Sequence, residues 1–309
     1  MSTSSRPLPS QAPDPSTAPD LTVVIVNYES GEFLRSCLGE LPRAVEPSKT
    51  AVLVIDNASS DGSLRGVGDL AEIVRNPENV GFARACNQSL ALTTSPYLLF
   101  LNPDCLPEPA SVSRLLDAAR QRPRAGAIGP RILNPDGTLQ LSCRIVPPLR
   151  VAVGHAVLGW AWPSNPFTRQ YMLLDWDHRS ERRVDWISGS AMLVRRDAFE
   201  GVGGFDERFF MYVEDLDLCE RMRNDGWEVV YFPGAEMVHH VAGSTRRTPY
   251  RMIAHHHLSA FRYWWSKSNR SPRVILAPVV AAGLAGRLLL TWLDQFQRSR
   301  RRAAVVSGP

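Results

Sequence analysis

Lysine is nearly missing from this chain of 309 residues. It occurs only at Lys49 and Lys267, so 33 of the 35 basic side chains are arginine. The bias carries little weight alone, because gene composition produces it as readily as selection for phosphate binding. No CxxC occurs among the five cysteines, Cys37, Cys86, Cys105, Cys143 and Cys219. Their odd number and wide spacing argue against a disulfide framework or a zinc site and fit a reducing cytosol. No GxGxxG follows the first apolar run, which ends in Asn27-Tyr-Glu-Ser-Gly31. That counts against a dinucleotide-dependent oxidoreductase. No basic patch interleaved with aromatics appears, so nucleic acid is not an expected partner. Residues 1–20 carry five prolines among Ser, Thr and Ala and lack the apolar stretch of an export signal. They read as a disordered tail.

What is present suits a globular protein: 44% hydrophobic residues, 21% charged and a net charge of +4. One large α/β domain over 21–250 with an appendage over 251–309 is the simplest partition. Leu21–Asn27 is a continuous β-branched run, as in a strand buried on both faces of a parallel sheet. Phe33, Leu34, Cys37, Leu38 and Leu41 follow at helical spacing. A strand over Ala51–Ile55 leads to Asp56, a turn at Ser59–Gly62, a short helix and a strand over Glu72–Arg75. A helix over 81–92 and a strand over Tyr97–Leu101 complete a β-α alternation. It predicts a mostly parallel, doubly wound sheet with polar residues gathered at the carboxyl ends of strands. Residues 145–183, rich in Pro and Trp without a period, read as a long loop region. Regularity returns with a strand over Ala191–Val194, a helix over Glu214–Asn224 and a strand over Glu228–Phe232.

Val274–Leu293 is apolar apart from Arg287, and twenty helical residues cross about 30 Å of hydrocarbon. A charge near the centre of a span costs roughly 2.5–3.5 kcal/mol, and Pro278 adds to the discomfort. An interfacial helix is therefore preferred to a span. Arg298, Arg300, Arg301 and Arg302 follow it and suit anionic head groups. The alternative is a helix packed on the main domain, or on the partner subunit of a homo-oligomer.

Five segments could carry chemistry. Asp56 ends a buried strand, where a carboxylate can accept from a base N–H or a ribose hydroxyl; Asp61 reads better as a turn cap. Asn79 and Gly81 open a helix, where a glycine lets backbone approach a ligand and the helix N-terminus favours a diphosphate, although Asn79 is equally an N-cap. Asn102-Pro103-Asp104 follows a strand, and Asp104 offers the carboxylate that a hard divalent cation needs beside substrate phosphates. The ordinary reading of that tripeptide is a turn. In the helix from Glu214, Asp215 shares a buried stripe with Leu218, Cys219 and Met222 and points inward, whereas Asp217, Glu220, Arg221 and Asn224 fall on the wet face. An inward acid can deprotonate a hydroxyl; Glu214 is explained by the helix dipole. His239 and His240 offer neutral imidazole to a metal. His255, His256 and His257 lie in an expected surface helix and receive no role.

Taken in order, these segments resemble the family 2 inverting glycosyltransferases, of GT-A fold. The resemblance rests on Val-Val-Ile-Val-Asn-Tyr (23–28), Val-Ile-Asp-Asn-Ala-Ser-Ser-Asp-Gly (54–62), Asn-Val-Gly-Phe-Ala-Arg-Ala-Cys-Asn (79–87) and Leu-Asn-Pro-Asp (101–104). Gly-Ser-Ala-Met-Leu-Val-Arg-Arg (189–196), the run from Gly203 to Cys219, and His-His-Val-Ala-Gly-Ser (239–244) continue it. It implies a mixed, mostly parallel doubly wound sheet flanked by helices, with a membrane-associating helical tail. It also implies that Asn27, Tyr28, Asp56, Asn79, Gly81, Asn102 and Asp104 bind a nucleotide-sugar donor. Asp104 and His239 would bind Mg²⁺ or Mn²⁺; His239, five residues before Ser244, matches the family's histidine better than His240. Asp215 would be the base with Glu214 beside it, and Gly189 and Ser190 would meet the acceptor, which the 145–183 region would face. The usual Asp-x-Asp is here Asn-Pro-Asp, so the metal has one carboxylate fewer. The motifs are most similar to rhamnosyltransferases of cell-wall and O-antigen assembly. These use dTDP-L-rhamnose and a polyprenyl-diphosphate-linked or glycan acceptor. That reading implies a peripheral cytoplasmic enzyme on the anionic inner face of the plasma membrane. Galactofuranosyltransferases using UDP-galactofuranose, and a catalytically silent nucleotide- or lipid-binding relative, are the alternatives.

Overall fold

The first β-branched run forms β1 (Leu21–Asn27) and is buried along nearly its whole length. A computed structural model describes residues 18–46, 48–159, 162–241 and 249–306; most of the expected tail, residues 1–17, lies outside the described residues, as do 242–244 of the His-His motif. β1 pairs in parallel with β2 (Thr50–Asp56) on one side and β4 (Tyr97–Leu101) on the other, and β3 (Glu72–Arg75) extends β2, also in parallel. α1 (Phe33–Val45) and α2 (Phe82–Leu92) are the crossovers. Between β2 and β3 the expected short helix is absent: residues 62–71 form successive turns, with Gly62 and Gly66 at positive φ interrupting any helical run.

Past β4 the sheet is mixed. β5 (Cys105–Pro107) and α3 (Ser111–Arg120) precede β6 (Ala125–Leu133), β7 (Leu139–Gln140) and β8 (Cys143–Arg144). The region expected to be loop contains two helices, α4 (Leu149–Leu158) and α5 (Pro166–Met172). α5 has an Asn165 cap, whose side chain accepts from Thr168 N, and a proline at its start. This N-terminus is a local signal that composition hides. β9 (Arg182–Arg183), β10 (Trp186–Ile187), β11 (Ala191–Arg195), α6 (Arg196–Gly201), α7 (Glu214–Asn224) and β12 (Glu228–His239) follow. Strand order is β3-β2-β1-β4-β11-β6-β12-β5. β11 runs antiparallel to both β4 and β6, whereas β12 is parallel to β6.

Both faces of the sheet are covered. Leu34, Cys37, Leu38 and Leu41 of α1 join Leu115 and Leu116 of α3 on one face. On the other, Ala83 and Cys86 of α2 meet Leu218, Cys219 and Met222 of α7 around Phe100, Phe199 and Phe205. Those three rings lie 5.1–5.3 Å apart. α7 buries the expected stripe, with one correction: Asp217, assigned to the wet face, is only 4% exposed. Arg221, one turn on, donates to it at 2.7 Å and to the Val202 carbonyl. A buried carboxylate needs such a partner, and the i, i+4 spacing supplies it.

α8 (Pro249–Ser268) is followed by a 3-10 turn over Pro272–Leu276 and by α9 (Ala277–Val306). Pro278 falls in the first turn of α9, where its missing N–H costs nothing, so the expected penalty does not arise. Pro272–Phe296 is long and apolar enough to cross a membrane, with a mean hydropathy of 2.0, and none of it is buried. The side chains of Arg298, Arg300, Arg301 and Arg302 lie outside the described residues. α8 is more than a surface helix: His257 is buried, and Ser259 Oγ donates to the Met211 carbonyl at 2.9 Å.

Candidate functional site

The carboxyl ends of β1 and β4, the β10–β11 turn and the start of α7 enclose a cleft of roughly 380 Å³. Tyr28, Asn79, Gly81, Asn102, Asp104, Gly189, Ser190, Glu214, Asp215 and His239 all line it. Asp104 and Asp215, the two carboxylates on which the sequence reading turns, therefore share one cavity. Two of the expected donor residues do not line it. Asn27 and Asp56 are buried beneath it, and Asn27 Nδ2 donates to Asp56 Oδ1 at 2.7 Å, to Ser63 Oγ at 2.9 Å and to Ser59 Oγ at 3.0 Å. Asp56 Oδ2 accepts from Ser59 N. As placed, this pair ties the β1 and β2 ends to the 59–63 turn.

Strand pairing assembles the Asp104 end. β12 does not stop at Phe232 as the sequence suggests. It continues through Pro233-Gly234, with a register shift between Phe232 and Glu236, to His239. Proline and glycine are tolerated at such an irregularity. The last stretch of β12 pairs antiparallel with β5, setting His239 opposite Cys105, and His240 N donates to the Asp104 carbonyl at 2.9 Å. His239 Nε2 thereby stands 3.3 Å from Asp104 Oδ1, with Nδ1 2.7 Å from Gln140 Oε1. When Nδ1 donates to Gln140, neutral imidazole turns an Nε2 lone pair toward the carboxylate. Two electron-rich atoms at that separation are suited to a cation between them, and an orienting hydrogen bond on the far nitrogen is the usual support of a metal-ligating histidine. Among the described residues no group of three or more His, Cys, Asp or Glu side chains could hold a metal. The pair fits a divalent cation only when phosphate oxygens complete its shell.

The Gly81 corner works differently from the expectation of an open helix N-terminus. Gly81 has φ +88°, and a Cβ there would lie 2.6 Å from the Phe210 carbonyl oxygen. That oxygen accepts from Phe82 N at 2.9 Å, and Asn79 Oδ1 accepts from Gly81 N at 3.0 Å. The Gly81 and Phe82 amides are thus committed to protein, and the glycine is required by the approach of the 210–213 loop. Asn57, missed by the sequence reading, holds this corner by donating to Asn79 Oδ1 and the Gly81 carbonyl, both at 3.2 Å.

The 210–213 loop presents α7. Tyr212 and Val213 have φ of +68° and +72°, a left-handed conformation that a β-branched residue adopts only under constraint. The constraint is visible: α2 bonds Phe210, Ser259 bonds Met211, and the His255 ring stacks on Phe210 at 4.7 Å. Held this way, Asp215 Oδ2 accepts from Gly189 N at 3.0 Å and Oδ1 from Leu216 N at 2.8 Å. Burial raises the Asp215 carboxyl above its ordinary value, partly offset by those two amides. Glu214 is raised further, by burial and by the neighbouring Asp215 charge, and its Oε2 has no hydrogen-bond partner. The helix dipole is therefore not what governs Glu214. The arrangement can accept a proton at Asp215, whose two oxygens the Gly189 and Leu216 amides hold in place. Arg144, Tyr171, Trp186 and His256 complete the wall. The sequence reading assigned none of them, although Tyr171 lies in the segment expected near the acceptor.

Comparison with known proteins places this geometry. The profile of Glycosyl transferase family 2 matches residues 22–202. An N-acetylglucosaminyl-diphospho-decaprenol L-rhamnosyltransferase of Mycobacterium tuberculosis is 40% identical over 296 residues, covering 91% of this chain and 96% of the relative. The rhamnosyltransferase WbbL of Escherichia coli is 40% identical over 95 residues, covering 30% of this chain and 36% of that protein. Among solved structures, a Pyrobaculum calidifontis mannosyltransferase in complex with GDP-Man and Mn²⁺ superposes with a TM-score of 0.56 at 20% identity, covering 96% of this chain and 78% of its own. That likeness supports the expected GT-A architecture. With a family profile spanning more than half its length and a relative matched nearly end to end, the chain belongs to glycosyltransferase family 2.

Proposed function

We propose that this enzyme transfers L-rhamnose from dTDP-L-rhamnose, with inversion, onto a polyprenyl-diphosphate-linked N-acetylglucosamine. The acceptor class is the one named for the mycobacterial relative. One observation carries the reaction: Asp215, fixed by the Gly189 amide, shares a single cleft with the Asp104–His239 pair. Asp215 takes the proton of the acceptor hydroxyl. The acceptor oxygen bonds to the anomeric carbon as the bond from that carbon to the diphosphate oxygen breaks, on the opposite face. Mg²⁺ or Mn²⁺ held by Asp104, His239 and the diphosphate would neutralise charge on the leaving group. Tyr28, Asn79 and Asn102 line the donor end, with Asn27 and Asp56 supporting them from below. Gly189 and Ser190 border the acceptor end. The unburied apolar stretch of α9 supports association with a membrane, which we read as the anionic cytoplasmic face.

The test is product formation. Wild-type protein with Mn²⁺, dTDP-L-rhamnose and a prenyl-diphosphate-linked N-acetylglucosamine should yield the disaccharide lipid, detected by mass spectrometry. Turnover with UDP-galactofuranose instead would reassign the donor. Nucleotide binding without release of nucleoside diphosphate from any donor would refute the reading.

A further inference from the structure

Asp215 is not the end of the ionisable groups along the cleft. Next to it on the wall is Arg144, which lies over the Trp186 ring at 4.8 Å and the Tyr171 ring at 5.7 Å. Its Nη2 donates to the Leu141 carbonyl at 3.3 Å, and its Nε has no hydrogen-bond partner. Tyr171 packs on His155 of α4 at 4.9 Å, and His256 of α8 lines the same wall. The charge of Arg144 acts on Asp215, His155 and His256.

The other cation comes from the apolar tail. In α9 the half-buried positions Val280, Leu284, Arg287, Thr291 and Asp294 recur every three to four residues and form one helical stripe. The opposite face, with Val279, Leu289, Leu290 and Leu293, is 57–69% exposed. Trp292 fastens α9 to α8 through its Nε1–H to the Tyr250 carbonyl at 3.2 Å. Arg287, the one charge in the apolar stretch Val274–Leu293, is thus on the protein side of the helix. Its charge also acts on His155 and His256. Both guanidinium charges thus act on the two histidines, whereas Arg144 is the one that also acts on Asp215, which sets Arg287 on the side of the histidines away from Asp215, at the exposed apolar helix.

We infer that Arg144 and Arg287, with His155 and His256 between them, bind the diphosphate of a lipid-diphosphate acceptor. The sugar hydroxyl then lies at Asp215 and the prenyl tail along α9. The inference rests on the proposed transfer to a lipid-linked acceptor and adds the residues that recognise its diphosphate. Two guanidinium groups suit a diphosphate because each offers a planar fork of donors. The order of the groups is also the order of parts in such an acceptor: hydroxyl, diphosphate, hydrocarbon. An arginine that costs a membrane helix energy is explained once its partner is an anion at the cleft mouth.

The full chain is assayed in neutral detergent with two acceptors: a short prenyl-diphosphate-linked N-acetylglucosamine, and an alkyl N-acetylglucosaminide lacking phosphate. Arg287→Gln is expected to raise the KM for the diphosphate acceptor about tenfold, the loss of roughly one charged hydrogen bond. The donor KM should stay within about twofold of wild type, and Arg287→Lys should recover part of the loss. With the phosphate-free acceptor, Arg287→Gln and wild type should have the same KM. An equal loss with both acceptors overturns the inference, as does a loss that appears only on anionic vesicles, which assigns Arg287 to phospholipid head groups. Failure of wild type to glycosylate either acceptor overturns the proposed function itself.

Discussion

Asp215, the proposed base, and Glu214 are adjacent carboxyls, and pH distinguishes them. Because burial raises Asp215, the acid limb of kcat/KM should lie above the roughly pH 4 of an ordinary carboxylate. As pH falls through the raised value the proposed base takes up a proton and the rate should be lost; a pH–rate profile locates the limb. Asp215→Asn should lower turnover by at least about a hundredfold while calorimetry finds nucleotide binding retained. For Glu214 the linkage concerns stability. Below the unfolded carboxyl's value both states hold the proton. As pH rises past it the unfolded chain ionises first, so stability falls until the higher folded value is reached. Glu214→Gln removes that fall, and denaturant unfolding from pH 4 to pH 8 should show a flatter profile than wild type. Gly81→Ala meets both a positive φ and the Phe210 carbonyl at 2.6 Å. It should cost about 2 kcal/mol or more of unfolding free energy, together with activity, since the displaced loop leads into α7 and so positions Asp215. At this scale the sequence was informative about acids but not about their partners: the inward aim of Asp215 is a matter of helical period, whereas the Gly189 amide and the missing partner of Glu214 depend on tertiary contacts.

Elements, not single residues, make the Asp104–His239 pair, because it exists only where the end of β12 meets β5. Gln140, on the two-residue strand β7, fixes the imidazole from behind. Gln140→Ala should leave the fold intact and raise the Mn²⁺ concentration needed for half-maximal activity by about tenfold, the usual order for losing such a support; a metal titration of the initial rate measures it. The strands β1, β2 and β4 were legible because each is built on a continuous apolar run. β6 was not, although it is central: Gly126, Gly129 and Pro130 break its pattern. The structure explains the glycines, since a Cβ at Gly126 would lie 2.8 Å from Trp227 Cβ and one at Gly129 would lie 3.1 Å from Ile187. Close packing against neighbours replaced the side chains by which a strand is recognised.

At the scale of the whole molecule, an exposed apolar helix is carried by a body whose core is complete without it. Ending the chain after Ser271 should abolish flotation with anionic liposomes and change the unfolding midpoint of the remainder little, because none of the 272–296 window is buried. The tail was legible from hydropathy alone. Its orientation was not, because which side of a helix meets the protein is set by α8, whose role in the cleft no local pattern announced. The five cysteines complete the picture. All are free and buried, and burial raises each thiol above its ordinary value, so alkylating reagents find almost no thiolate in the native protein. They are distributed over α1, α2, α7 and two strands. The chain therefore carries a built-in set of clocks: the order in which the sulfurs become alkylated reports which layer of the molecule opens first.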